Sequence, residues 1–140
     1  MRILPHVLTL LDTINAPAVV HAHCDLPCGV YDPAQARIEA ESVKACQEKW
    51  GASDDPVFKS RAIAVKEERA DMVKEHLWVL WTDYFKPEHL EQHPDLHDIF
   101  WRATKLAGEA KKSTDPTQGQ ALLDAIAEID TVFQATKAHA

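Results

Sequence analysis

The sequence HCDLPCGVYDP, residues 23–33, places one imidazole and two of the chain's three thiols within six residues and then leads into a helix. Thiolates are soft donors and imidazole is intermediate, so this set favours a transition metal that binds sulfur over magnesium or calcium. The cysteine spacing is CxxxC, and no second cysteine pair or HxxxH motif follows at the distance of a zinc finger. We therefore expect a metal site that takes its remaining donors from nearby groups. Asp32 and Pro33 fit the N-cap and the first residue of the helix that follows.

Four further segments extend the pattern that begins with residues 23–31, which we call the hook. They are AQARIEAESVKA at 34–45, KEERADM at 66–72, HLWVLWTDYFKPEH at 76–89 and STDP at 113–116. Together with the hook, they make residues 23–140 resemble the nickel-containing superoxide dismutases, which convert superoxide to oxygen and hydrogen peroxide. Residues 1–22 lie outside the resemblance.

The resemblance implies that this sequence is a precursor. In that family a leader is removed, so that the histidine of the hook becomes the first residue and its freed amine joins the metal site. Here this predicts that a maturation peptidase cuts between Ala22 and His23, removing the leader 1–22. The remaining domain, 23–140, would consist of the hook and a helical bundle at 33–140. Family members are homohexamers, so we expect the same assembly with one nickel ion per subunit.

The resemblance also implies the ligands of the nickel ion. The amine of His23, the backbone amide nitrogen of Cys24 and the sulfurs of Cys24 and Cys28 would form a square plane. The His23 imidazole would be the axial ligand of the oxidised state. Nitrogen and sulfur donors in a tetragonal arrangement suit nickel(II). Because an α-amine has a pKa of roughly 8 and must lose its proton to bind, metal loading should weaken at acid pH.

The family's matching segments, together with position in the hook, predict supporting roles for five residues. Glu39 would hold the second ring nitrogen of the ligand histidine, with Arg69 behind it, because a ligand imidazole needs such a partner. Tyr31 and Tyr84 would lie beside the metal, and Asp25 would shape the hook through backbone hydrogen bonds. From the residues alone, Glu39 and Arg69 could be ordinary charges on helix surfaces, and both tyrosines could be aromatics at the edge of a core.

Apolar residues recur at helical spacing in four stretches after the hook, without a competing strand pattern. We predict helices from about Pro33 to Trp50, from after Pro56 to near Lys86, from about Pro94, and after Pro116. Four amphipathic helices joined by short turns favour an all-α four-helix bundle, because each apolar stripe must be buried against another. The positions predicted to face the core are Ala36, Ala40, Val43 and Trp50; Ala62, Val65, Met72, Leu80 and Tyr84; Leu96, Ile99, Phe100, Ala103, Ala107 and Ala110; and Leu122, Ala125, Ile126, Ile129, Val132 and Phe133.

Length and charge exclude several classes of protein. A chain of 140 residues with 46% hydrophobic residues suits one folded domain. The net charge of −7 and the scattered basic residues argue against a nucleic-acid partner. The apolar run of the leader is interrupted by Pro5, His6, Asp12 and Asn15, so it cannot span a membrane. We expect a cytoplasmic protein; export is the alternative, because residues 20–22 resemble the small-x-small pattern of a secretory cleavage site.

Two other functions fit the same hook. A helical bundle that binds or delivers nickel or zinc without redox cycling would use the same donors. A structural protein could instead pair Cys24 with Cys28 in a redox disulfide. The third cysteine, Cys46, lies in a helical stretch, and we expect it to be a buried apolar side chain without a site role.

A second group of possible ligands is the set His89, His93 and His97, which are spaced by four residues. On a continuous helix they would align, but Pro94 interrupts that helix. We therefore expect solvent-facing histidines around a turn rather than a metal site.

Overall fold

The computed structural model describes residues 31–138, and all regular secondary structure in that range is helical. The α-helices are α1 (Ala34–Gly51), α2 (Pro56–Val79), α3 (Pro87–Gln92), α4 (Leu96–Lys112) and α5 (Pro116–Lys137). A π-helical turn, Leu80–Tyr84, continues directly from α2. Because α1, α2, α4 and α5 are long and α3 is a short connection, the predicted all-α four-helix bundle is confirmed. Within the described range, no helix combines the length and apolar character needed to cross a membrane.

Short polar motifs fix where α2 and α5 begin. Asp55 and Asp115 each accept the backbone N–H two residues further on at 2.9 Å, and each is followed by a proline at the first helical position. Proline fits there because its missing N–H would have no partner inside the helix. After the hook, Asp32 Oδ1 accepts the N–H of Ala34 at 2.8 Å, but α1 begins at Ala34 with Pro33 as its N-cap residue, one position later than we predicted.

The long helices pack in a square arrangement. Helix α1 packs against α2 and α5, α4 packs against the same two helices, and α1 scarcely touches α4. Short connections between successive helices make neighbours antiparallel. The predicted core positions of α4 are all buried, and so are those of α5 except Val132, which is partly buried.

The buried face of α2 differs from the predicted one. Val65 is 40% exposed, Met72 is partly buried, and the charged residue Lys66 is only 3% exposed. The prediction was confirmed for Ala62 and Leu80 and was wrong for Val65 and Met72, because the buried stripe instead passes through a lysine at position 66. The buried residues of α2 are Ala62, Lys66, Ala70, Val73 and Leu77.

The connection from α2 to α4 is also more elaborate than one helix ending near Lys86. The last turn of the long helix is π-helical and ends at Tyr84, after which Phe85 and Lys86 adopt extended backbone. Pro87 disfavours helical geometry at the residue before it, which accounts for the stop at Lys86. The short helix α3 then fills the segment for which we predicted only a turn.

At one end of the bundle, two buried polar side chains bind the carboxyl end of α4. Gln47 Nε2 donates to the carbonyls of Ala110 and Ser113, at 3.2 Å each. Lys66 Nζ donates to the carbonyl of Ser113 at 2.8 Å and also to that of Lys111. Because the last carbonyls of a helix have no partner within the helix, these bonds satisfy them and join α1 and α2 to α4. We call Gln47, Lys66 and these three carbonyls the polar end.

Candidate metal centre

The predicted nickel ligands lie outside the part of the chain that the structure describes. His23, Cys24 and Cys28 all precede Tyr31, the first described residue, and so does Asp25. Within residues 31–138, no three side chains of His, Cys, Asp or Glu are grouped so that they could hold a metal ion. The structure does describe the end of the bundle to which the hook is attached.

Contacts from α5 and from the π-helical turn fix the point at which the hook joins the bundle. Lys137 Nζ, at the end of α5, donates to the carbonyl of Tyr31 at 3.5 Å. The Tyr31 ring packs against the core and lies 5.6 Å from the Tyr84 ring, centroid to centroid, at 53°. Asp32 then accepts the N–H of Ala34 at the start of α1. The two tyrosines that we predicted to flank the metal are therefore brought together.

The π-helical turn places Tyr84 in a cluster of rings. Its ring centroid lies 4.7 Å from that of Phe133, 4.9 Å from Phe85 and 5.7 Å from His89. A π-turn adds a residue to the local turn and so changes the direction of the side chains that follow it. We call Tyr31, Tyr84, Phe85, His89 and Phe133 the aromatic end.

The hydroxyl of Tyr84 also has a specific partner. Its oxygen lies 2.8 Å from Thr136 Oγ1 in α5, and Thr136 is only 3% exposed. The phenol is thus both packed by rings and hydrogen-bonded at its polar tip, as is usual for a tyrosine at the edge of a core.

Glu39 and Arg69 form the contact that the sequence predicted. Arg69 Nη1 donates to Glu39 Oε2 at 3.1 Å. The Glu39 side chain is 9% exposed and that of Arg69 is 37% exposed, so the carboxylate is buried while its partner reaches solvent. The hydrogen bond to Glu39, followed by the charge of Glu39, raises the pKa of Arg69 above its usual value. Glu39 is therefore a buried carboxylate paired with Arg69 and not a surface charge.

The histidines after α2 are engaged in other contacts. His97 Nδ1 accepts the indole N–H of Trp81 at 2.8 Å, and His89 Nδ1 accepts the backbone N–H of Lys86 at 3.2 Å. His97 is exposed, as expected, but His89 and His93 are partly buried. Cys46 is a free thiol that is partly exposed, so the expectation of full burial was wrong.

Residues 18–137 match the family model of nickel-containing superoxide dismutase. The chain belongs to the nickel-containing superoxide dismutase family. It is 60% identical to the superoxide dismutase (Ni) of Streptomyces seoulensis over 129 residues, which cover 91% of this chain and 98% of that protein. It is 57% identical to the superoxide dismutase (Ni) of Streptomyces coelicolor over the same shares of the two chains.

Solved structures of this family share the fold. The native structure of a nickel superoxide dismutase aligns with a TM-score of 0.81 and 59% identity, over 83% of this chain and 99% of the other. A nickel-containing superoxide dismutase whose nickel ligation corresponds to the oxidised state aligns with the same TM-score and 61% identity, over the same shares.

Sequence reasoning missed two features beside Tyr84. One is the π-helical turn, which leaves no distinct signal in a run that reads as continuous helix. The other is Thr136, a residue near the end of α5 whose partner lies 52 positions earlier in the chain. A small polar residue within the apolar spacing of α5 was the available signal, because Thr136 follows Ile129 and Phe133 on the buried face.

Proposed function

We propose that His23, Cys24 and Cys28 hold the nickel ion with which this member of the nickel-containing superoxide dismutase family converts superoxide to oxygen and hydrogen peroxide. The observation that carries the proposal is the family match over residues 18–137, which includes the hook. The donor set fits the metal, because two thiolates and nitrogen donors suit the tetragonal preference of nickel(II). A bound nickel ion supplies the one-electron redox couple that dismutation requires, with one ion per subunit.

We assign Glu39 and Arg69 to the orientation of the His23 imidazole. A ligand imidazole keeps its direction when its other ring nitrogen donates to a fixed acceptor. Glu39 is suited to this role because it is buried and its Oε2 is held by Arg69 at 3.1 Å. A carboxylate accepts through both of its oxygens, so Glu39 can accept a hydrogen bond from the imidazole N–H while Arg69 donates to its Oε2.

Tyr31, Tyr84 and Asp25 would shape the space around the metal. The two tyrosine rings are in contact, and Tyr31 directly follows the segment that contains the thiolates. Bulky rings at this place would restrict access to small molecules, which matters because thiolates near a source of peroxide can be oxidised. Asp25 would hold the hook through hydrogen bonds to its backbone.

We further propose that a peptidase removes residues 1–22 and leaves His23 as the first residue of a domain 23–140. The lengths of the relatives support this. The alignment with a solved chain covers 99% of that chain but only 83% of this one. The alignment with a curated relative covers 91% of this chain. The solved chains are thus shorter than the curated sequences, as removal of a leader would make them.

The mature protein would assemble as a homohexamer in the cytoplasm. The family resemblance supports the assembly, and so do the large apolar side chains Trp78 and Trp101, which are 46% and 57% exposed. Light scattering of the protein from its native source should give about six times the subunit mass. Cell fractionation would separate a cytoplasmic location from export.

The decisive experiment compares full-length protein with the form that starts at His23, both loaded with nickel. Stopped-flow measurement of superoxide decay should show activity only for the cleaved form. The intact mass of active protein from the native source should equal that of a chain that starts at His23. Replacing Cys24 and Cys28 by serine should abolish both nickel binding and dismutation. Stoichiometric nickel without dismutation would favour a metal-binding or metal-delivery bundle instead, and activity of protein that retains Met1 would contradict the proposed maturation.

A further inference from the structure

The hydroxyl of Tyr84 is tied to α5 by two hydrogen bonds in series. Thr136 Oγ1 donates to the carbonyl of Phe133 at 2.7 Å, and the Tyr84 hydroxyl lies 2.8 Å from the same Oγ1. A hydroxyl carries one proton and a carbonyl can only accept, so the proton of Thr136 is directed to Phe133. Tyr84 is therefore the donor and Thr136 the acceptor in the bond between them.

This pair is partly shielded from solvent, most of all on its Thr136 side. Thr136 is 3% exposed, and the Tyr84 ring is packed by Tyr31, Phe85, His89 and Phe133. Hydrogen bonds in a low-dielectric environment are stronger electrostatically, and successive bonds polarise one another. The bond to Thr136 thus fixes both the tilt of the ring and the direction of its O–H.

We propose that Thr136 is a positioning residue of the site, which holds the Tyr84 hydroxyl as a donor into α5. The phenol oxygen then offers only lone pairs to any further neighbour. Tyr84 would accept a hydrogen bond from a neutral donor such as water or hydrogen peroxide and would not donate one to an anion. The consequence for catalysis rests on the proposed function, because only then does Tyr84 lie beside the reacting species.

The first measurement needs no metal. The chain contains only two tyrosines, so ¹³Cζ-tyrosine labelling gives two resonances, and Tyr31→Phe assigns them. Thr136→Val removes the acceptor with little change of volume, and it should shift the Tyr84 resonance of the metal-free protein. Thr136→Ser retains the hydroxyl and should leave the resonance unchanged. The control is Thr131→Val. Thr131 lies in the same helix and is exposed, and its hydroxyl donates to the carbonyl of Ala127 within that helix.

The second measurement is superoxide decay at equal nickel content. Losing one positioning hydrogen bond should lower the activity of Thr136→Val about five-fold. Thr136→Ser should restore the activity to near the wild-type level. In a Tyr84→Phe background, Thr136→Val should cause no further loss, because the two residues act through one contact.

Several results would overturn the proposal. These are an unchanged Tyr84 resonance in Thr136→Val, wild-type activity of that variant, or an equal loss in the Tyr84→Phe background, which would show a merely structural role. If nickel-loaded wild-type protein has no activity, the proposed function fails, and the resonance shift still decides whether Thr136 holds the Tyr84 hydroxyl.

Discussion

Glu39 in α1 and Lys66 in α2 are both buried charges, but their surroundings differ. Lys66 is 3% exposed and donates to backbone carbonyls at the end of α4. Glu39 is 7% exposed and accepts from Arg69, whose side chain reaches solvent. A cation at the carboxyl end of a helix complements the helix dipole and its unpaired carbonyls, so Lys66 has a structural partner.

Lys66 joins two helices, whereas Glu39 has the role that we propose at the metal site. The hydrogen bonds of Lys66 connect α2 to the end of α4, which is a structural role that involves no ligand. Arg69 donates a hydrogen bond to one carboxylate oxygen of Glu39. We propose that Glu39 also accepts a hydrogen bond from the imidazole of His23. We therefore expect changes at the polar end to affect stability, and changes at Glu39 to affect metal binding and activity.

The largest effect on stability should come from Gly119→Ala at the polar end. A Cβ at Gly119 would lie 2.5 Å from Gln47 Oε1 and 2.8 Å from the backbone Cα of Lys44, so α1 and α5 would have to separate. Such overpacking should lower the free energy of unfolding by about 2–3 kcal/mol, measured by urea denaturation. Nickel content and activity of the folded fraction should not change.

Gly108→Ala is the matched control. A Cβ there would meet only the Lys74 side chain, at Nζ (3.6 Å) and Cε (3.9 Å), both in ordinary contact. Because glycine is unfavourable inside a helix, the free energy of unfolding of this variant should rise by about 0.5–1 kcal/mol. Equal stability losses in the two variants would show that close approach at Gly119 is not what the polar end requires.

The next largest effect is expected from Glu39→Gln, which tests the proposed role of Glu39 at the metal site. The amide keeps the size of the side chain but loses the charge that would hold the imidazole, so nickel affinity or activity should fall about 10- to 100-fold. Equilibrium dialysis with nickel and superoxide decay measure the two quantities. Its urea midpoint should move much less than that of Gly119→Ala.

Glu41→Gln controls for the loss of one negative charge from α1. Glu41 is exposed and pairs with Arg37 in the same helix, so its loss should leave nickel binding at the wild-type level. If Glu39→Gln and Glu41→Gln behave alike, Glu39 is only a structural charge, and its distinction from Lys66 disappears.

The fold was predictable where large apolar side chains mark the buried face. In α4 the stripe from Leu96 to Ala110 was predicted position by position, because bulky and small apolar residues follow one helical repeat. In α2 the rule identified Ala62 but missed Lys66, since burial of Lys66 depends on a carbonyl 45 residues further along the chain. Spacing within one segment cannot reveal a partner that only the packed bundle supplies.

The site was predictable to a different extent. Spacing in the hook indicated sulfur and nitrogen ligation, and the resemblance named Glu39 and Arg69, which the structure finds in contact. The geometry around Tyr84 was not predictable, because the π-helical turn changes the direction of the ring and Thr136 meets it from the last helix.

The smallest effect concerns the pH dependence of stability caused by Lys66. Burial lowers the pKa of Lys66 from its ordinary value of 10.5, with nearby Glu67 opposing the shift. Below both pKa values, folded and unfolded chains carry the same proton, and the full cost of burying the charge is present. Between the folded pKa and 10.5, the unfolded chain binds more protons, so the free energy of unfolding rises with pH.

Urea denaturation of wild type and Lys66→Met at several pH values up to 10.5 isolates this contribution, because other titrations cancel in the difference. The free energy of unfolding of the wild type should rise relative to that of Lys66→Met as pH rises. The exposed substitution Lys49→Met corrects for the loss of one positive charge from the chain. A difference that shrinks as pH rises would mean that the carbonyls of Lys111 and Ser113 stabilise the ammonium more than burial penalises it. Lys66 would then be a favourable charge and not merely a tolerated one.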